Sequence, residues 1–233
     1  MTIDASLLAQ LKSYDTPTIC NALEIVDPAR RLTGFTVKPL YCRYPEMPPI
    51  VGYAKTVTIR STHAHELDGK KARTQRIDYY DYVASTPAPG IMVIQDLDGH
   101  EVGFGAFWGE VMSAVHKGLG SLGVVTDGSI RDIDQWAPGF QALAGSIVPS
   151  HAHVHLAGFG QEVRVAGMLV RSGDIVHADR HGAVTIPAAT VDKIPAACDL
   201  LTRKEAVILE MARAPGFNVA KLREALAKQD EIH

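Results

Sequence analysis

The sequence predicts an α/β protein with a mixed sheet, organised as one domain over residues 1–233. Three observations carry this. Short apolar strand-like runs alternate with helix-spaced segments through the first half, and the stretch 146–186 reads as β throughout. No internal repeat, Gly/Ser linker or charge block divides the chain. The composition agrees: 46% hydrophobic and 21% charged residues suit a packed globular protein and exclude a disordered one. The 20 Gly and 13 Pro are scattered, so the chain is neither collagen-like nor low-complexity. A net charge of −3 gives no overall footprint for nucleic acid or an anionic membrane.

Taken in order, residues 4–12 are expected to be helical, with Asp4 near the start. Thr16-Pro17 reads as an N-cap followed by proline at the first helical position, opening a helix through about Glu24. Four prolines make 38–50 a loop. Residues 52–60 are a strand, 68–85 a helix, and Ile91 to Gln95 a short buried strand after Pro89-Gly90. A Gly-rich stretch (Gly99, Gly103, Gly105, Gly109) leads into a helix over 109–117, ended by Gly118 and Gly120. Residues 122–126 are a strand. Turns at Gly158, Gly160, Ser172-Gly173 and Gly182 punctuate the β-rich region, and helices return at about 189–212 and 218–228.

The most informative stretch runs from Gly103 to Gln135. The 109–117 helix spans roughly 14 Å at 1.5 Å per residue, and the following strand covers about the same distance. Joined by a tight glycine turn, the two run antiparallel, so Asp127, Arg131 and Asp132 return beside Glu110 and the Gly103–Gly109 loop. Free N–H groups at a helix start attract an anion. Arg131 has the fork that grips a carboxylate. Asp132 and Glu110 are hard oxygen ligands suited to Mg²⁺ or Mn²⁺, directly or through water. A carboxylate clamp beside a divalent cation suits binding of a 2-oxo acid and stabilisation of its enolate. The plainer reading of an Arg-Asp pair after a strand is a surface ion pair or a cap. The phosphate-binding G-x-x-x-x-G-K-[ST] and a fitting G-x-G-x-x-G are both absent.

Trp108-Gly109-Glu110, Gly118 and the run Gly123-Val124-Val125-Thr126-Asp127-Gly128-Ser129-Ile130-Arg131-Asp132 resemble the RraA-like family. That family includes the class II 4-hydroxy-4-methyl-2-oxoglutarate / 4-carboxy-4-hydroxy-2-oxoadipate aldolases, which show an acid, twenty intervening residues, then Arg-Asp. Glu110 and Arg131 have that spacing. Asp15-Thr16-Pro17 to Glu24, Gly52 to Val57, and Gly173 to Asp179 with Gly182 to Pro187 match in the same order, so the likeness spans nearly the whole chain.

The resemblance implies a swivelling β/β/α fold, of the kind seen in phosphohistidine domains, assembled as trimers or hexamers with the site near a subunit interface. It implies a Mg²⁺- or Mn²⁺-dependent carbon–carbon lyase that cleaves a 4-hydroxy-2-oxo acid to pyruvate through a metal-stabilised enolate, with oxaloacetate decarboxylation as a side activity. In that scheme Asp132 ligates the metal, Glu110 acts through metal-bound water, and a metal-activated water is the base. Arg131 holds the substrate carboxylate and stabilises the enolate, while Gly109 and the N–H groups near Val111 and Met112 bind the pyruvyl part. Two positions depart from the pattern. Gln135 stands where an acid is usual, with Asp134 adjacent, and Glu110 is one methylene longer than Asp. Members that inhibit ribonuclease E tend to lack the metal-binding Asp, so Asp132 favours the enzyme over a non-catalytic interaction protein. The same enolate chemistry on a sugar-acid-like substrate is the third reading.

Several residues outside this stretch also bear chemistry. His151, His153 and His155 alternate, which on a strand puts three imidazoles on one face, either as zinc ligands or along the rim of the site or a polar interface. His177, Asp179 and His181 repeat the pattern. His63 and His65 read as loop or strand-end residues, Cys20 as a buried apolar residue mid-helix, and Tyr79, Tyr80 and Tyr82 as packing or pocket-lining groups. Lys204-Glu205 resembles a family position from which an acid reaches a neighbouring subunit's site. The three separated cysteines and the absence of a signal-like start or a bilayer-length apolar run point to a reduced, cytoplasmic protein with no membrane or nucleic-acid partner.

Overall fold

The computed structural model describes residues 3–232. Helices α1 (Ala5–Leu11) and α2 (Thr16–Val26) precede strands β1 (Tyr41–Cys42) and β2 (Ile50–Arg60). There follow α3 (Gly69–Ala84), β3 (Gly90–Asp96), β4 (Ala106–Trp108), α4 (Glu110–Gly118), β5 (Ser121–Ile130) and β6 (Gln141–Ile147). Strands β7 (His155–Phe159), β8 (Val163–Val165), β9 (Met168–Val170), β10 (Ile175–Asp179) and β11 (Gly182–Ile186) form the β-rich second half. Helices α5 (Ile194–Arg213) and α6 (Val219–Asp230) close the chain. Among the described residues, no helix is long and apolar enough to cross a membrane.

The sheet is mixed, as expected. Its order is β1-β6-β5-β3-β2-β10-β11, with β4 paired to β5 and β7 to β2. The centre, β2-β3-β5-β6, is parallel; β1, β7 and β10 join antiparallel. In β2 every residue except the last is buried, the pattern of a parallel strand covered on both faces. One core groups Trp108, Trp136, Phe140 and Tyr79 on one side, while Leu11, Ile19, Leu23 and Ile194 seat α1, α2 and α5 against Tyr53 and β11.

Capping chemistry sets the helix starts. The carboxylates of Asp4, Asp15 and Asp68, and the Asn218 amide oxygen, accept from first-turn N–H groups. The cap of α2 is thus Asp15, not Thr16. Thr16 lies one residue inside the helix, and its buried side chain bonds His177 Nδ1 at 3.0 Å. The proline-rich 38–50 loop contains β1, which finds partners in β6 despite its two-residue length. The strand expected at 122–126 continues to Ile130, because β4 and β6 pair with its far end. Gly118 is the last helical residue of α4 rather than a stop; the turn follows at Gly120, where φ is +90°.

Candidate active site

Strand β5 and helix α4 meet as the spacing predicts. The Arg131 N–H donates to Trp108 O at 2.9 Å, tying the end of β5 to the end of β4 just before α4 begins. The Glu110 N–H donates to Asp132 Oδ2 at 3.3 Å, so this carboxylate occupies the N-terminus of α4. Arg131 Nε lies 3.6 Å from the same oxygen, and both side chains are about one-third exposed. Gly109 makes the approach possible: a Cβ there would overlap the Asp132 carboxylate. The first α-helical bond of α4 runs from Ser113 N to Gly109 O, so the Val111 and Met112 N–H groups lie in the first turn, ahead of the helical ladder.

Asp132 adopts a left-handed backbone (φ 53°, ψ 46°). Such a conformation in a non-glycine residue costs about 1–2 kcal/mol, least for Asp and Asn, and occurs where surrounding structure enforces it. Among the described residues, three that are not glycine have positive φ: Asp132, Ala152 and Ala166. Two of them, Asp132 and Ala152, line one pocket of about 540 Å³.

That pocket collects most of the expected site. Gly109, Val111, Met112, Arg131 and Asp132 form one wall. Glu110 contributes its backbone to Asp132, but its side chain is exposed and lies outside the lining. Asp134 and Gln135 are exposed on the short 3₁₀ turn after Asp132. Asp127 does not join the corner. It accepts from the Asp96 N–H at 2.8 Å, and burial pushes its carboxyl up to about 6. It is a half-buried acid on the side of Asp96, whose own carboxylate accepts from the Gly103 N–H.

The histidine triplet is also at the pocket, but not as a strand. Residues 148–154 cross it as a pinned loop, through Val148 N to Ile130 O (3.1 Å), Ala106 N to Ser150 O (2.9 Å) and His153 N to Ser61 O (3.0 Å). The left-handed Ala152 breaks the alternation. Nδ1 of His151 and of His155 donates to backbone carbonyls. His65 packs edge-on against His155 with centroids 4.6 Å apart. Among the described residues, no three His, Cys, Asp or Glu side chains are grouped to hold a metal, so the zinc reading of the triplet fails. His177 is internal: its Nδ1 meets Thr16 and its Nε2 faces the carbonyls of Leu11 and Tyr14. Asp179 and His181 pair at the β10–β11 turn.

A divalent cation is judged by the same donors. Asp132 offers a partly exposed carboxylate facing the pocket, and no all-protein cage surrounds it among the described residues. Mg²⁺ keeps several waters and commonly takes only one or two carboxylates, so a single Asp beside an open pocket fits such an ion.

Helix α3 supplies a further wall, in which Tyr79 and Tyr80 line the pocket as their sequence allowed, Tyr82 does not, and Ala72, Gln75 and Arg76 are additions. Ala72, Gln75, Arg76, Tyr79 and Tyr80 line the pocket, at positions i, i+3, i+4, i+7 and i+8. That spacing was the available signal. Burial lowers the His116 pKa to about 4, so its neutral ring donates from Nδ1 to Met112 O (2.7 Å) and accepts from the Tyr79 hydroxyl at 2.6 Å, joining α4 to α3.

Comparison with known proteins follows the same lines. Residues 16–185 match the family model described as RraA-like, Aldolase/RraA. A protein of Halalkalibacterium halodurans named "Putative 4-hydroxy-4-methyl-2-oxoglutarate aldolase" is 27% identical over 227 residues, covering 97% of this chain and 96% of that one. An uncharacterized Pseudomonas syringae protein superposes with a TM-score of 0.71 at 18% identity, over 97% of this chain and 98% of its own. Streptomyces coelicolor RraAS2, titled an unusual member of the RNase ES inhibitor RraA protein family, gives 0.69 at 20% identity, over 88% and 96%. At these identities the two structures speak for the fold alone.

Proposed function

The chain belongs to the Aldolase/RraA family, and from that premise we propose that it is a divalent-metal-dependent lyase cleaving a 4-hydroxy-2-oxo acid to pyruvate and a carbonyl product, with oxaloacetate decarboxylation as a second reaction. The observation that carries this reading is the Arg131–Asp132 corner, held at the start of α4 by a left-handed Asp and a glycine that leaves room for its carboxylate.

Cleavage breaks the C3–C4 bond as the 4-hydroxyl loses its proton; the electron pair moves onto the 2-oxo group as an enolate, and protonation at C3 gives pyruvate. Decarboxylation of oxaloacetate passes through the same enolate. The protein must therefore hold a 2-oxo acid by its carboxylate and stabilise negative charge on the neighbouring oxygen. The Arg131 guanidinium does the first by its fork and contributes to the second. The Val111 and Met112 N–H groups in the first turn of α4 add donors and the positive end of the helix dipole. Asp132, with Glu110 in the outer shell, would hold a cation such as Mg²⁺, which would supply Lewis-acid stabilisation of the same charge. Tyr79, Tyr80 and Phe107 give the pocket an aromatic wall that packs against the apolar part of a ligand.

The test is pyruvate release from oxaloacetate and from 4-hydroxy-4-methyl-2-oxoglutarate, with Mg²⁺ and with EDTA. Release that EDTA abolishes and Mg²⁺ restores is expected, and Asp132→Asn should remove the metal response. A variant still activated by Mg²⁺ refutes the ligand assignment. Absence of release from either substrate turns the reading toward a different 2-oxo acid or toward an interaction protein.

A further inference from the structure

The charge lining the pocket is lopsided. The chain as a whole is slightly acidic, at −3. Yet Asp132 is the only acid among the described residues that line the pocket, against Arg131, Arg76 and the four histidines His65, His151, His153 and His155. Arg131 and Asp132 pair with each other. Arg76 has no ionic or hydrogen-bonding partner among the described residues, and neither does the His153 ring.

These two groups come from separate, fixed elements. Arg76 stands on the pocket face of α3, one turn before Tyr79 and Tyr80, and Tyr79 is locked to His116. His153 stands on the pinned loop, next to the left-handed Ala152 and anchored through its own N–H to Ser61 O. An unpaired guanidinium and an imidazole that line the same pocket as the α4 corner, carried by other elements, are a donor set for an anionic oxygen group. A pocket of about 540 Å³ is also far larger than a three-carbon acid fills; it lies in the range that encloses a sizeable ligand.

We propose that Arg76, assisted by His153, forms a second anion-binding subsite that recognises the distal acidic group of the substrate, and so sets specificity for diacids over monoacids. The proposal rests on the 2-oxo-acid reading for the first anion, at Arg131, and deepens it. Arg76 is a specificity residue here and takes no part in bond cleavage.

The experiment measures binding by calorimetry, with Mg²⁺ present, of 2-oxobutyrate, 2-oxoglutarate, 2-oxoadipate and plain glutarate. The wild type is compared with Arg76→Gln, Arg76→Lys and His153→Gln. The wild type should prefer the 2-oxo diacids to 2-oxobutyrate, and Arg76→Gln should shrink that ratio by roughly ten- to hundredfold. Arg76→Lys should restore part of it, because lysine keeps the charge but not the fork. A wild type without diacid preference, or a preference that survives Arg76→Gln and His153→Gln, overturns the subsite. Arg76-dependent binding of glutarate as tight as that of 2-oxoglutarate would keep the subsite and overturn the 2-oxo-acid reading instead. Arg76 is exposed, and a melting curve for each variant separates loss of fold from loss of binding.

Discussion

Replacing Gly109 by alanine puts the geometry of the corner to a quantitative test. The backbone at Gly109 is extended (φ −159°, ψ −162°), so alanine meets no conformational strain there. The collision is the whole effect: the new methyl overlaps Asp132 Oδ2 and comes within 3.3 Å of Arg131 Cγ. To regain an ordinary van der Waals separation the carboxylate must move by about 1 Å. Because that side chain is 37% exposed, it can swing outward. The stability cost then sits at the low end for overpacking, about 1 kcal/mol, or about 2–4 °C in Tm for a chain of this length. The same movement breaks the 3.3 Å contact with the Glu110 N–H and displaces Asp132 from the pocket corner. Misplacement on that scale costs on the order of 10²-fold in rate. Pyruvate release, a Mg²⁺ titration and a thermal melt should therefore separate: a small drop in Tm with a large drop in kcat/KM. Gly118→Ala is the control. Its Cβ meets nothing within 4 Å at the end of α4, so Tm should hold or rise slightly while activity is retained. A Gly109→Ala variant with kcat/KM within about threefold of the parent refutes the claim that this glycine positions the carboxylate.

Arg131→Lys keeps a cation but loses the two-pronged grip, so kcat and substrate affinity should fall together by roughly tenfold or more; an unchanged turnover number excludes Arg131 from charge stabilisation. Asp132→Asn retains a residue that tolerates the left-handed backbone, whereas Asp132→Ala adds about 1 kcal/mol of strain; the Asn variant should melt above the Ala variant, and the reverse order contradicts the strain argument. The pH dependence of stability contains two opposed contributions. Burial holds the His116 pKa at about 4, below its ordinary value of about 6.5, so the unfolded chain binds more protons and stability falls as pH drops through that window. Burial raises the Asp127 carboxyl to about 6, so the folded chain holds its proton and this contribution declines as pH rises from about 4 to 6. Asp127→Asn keeps an oxygen for the Asp96 N–H and removes the second contribution. Its Tm should therefore fall more steeply than the wild type's on acidification from about pH 7 to 5, and parallel curves refute the assignment.

The sequence carried the architecture because its signals were local. Proline and cap chemistry at Asp15-Thr16-Pro17 opens α2, and buried runs such as Ile91 to Ile94 mark central parallel strands. The corner was legible for a geometric reason: α4 and β5 have matched lengths and a glycine turn, which returns Arg131 and Asp132 to Gly109. What escaped depends on partners distant in sequence. Strands β1 and β4 are two and three residues long and exist only through β6 and β5. Asp127 is near the corner along the chain, but it sits where β5 is irregular, between Thr126 and Ser129, and its carboxylate turns to the Asp96 N–H on β3. The histidine triplet has strand-like spacing, but loop contacts at Ala106 and Ser61 and the turn at Ala152 override it.

The Tyr79–His116 bond has a consequence for how such a protein diversifies. The Arg131–Asp132 corner lies on α4 and β5, whereas the outlying wall is one face of α3, a helix with only two buried residues, Tyr79 and Val83. Residues 72, 75 and 76 face the pocket without supporting the core. Mutational drift at those positions is nearly free of folding penalties, while the latch keeps the helix in place. The lining of the pocket can thereby be rewritten on α3 while the Arg131–Asp132 corner stays unchanged.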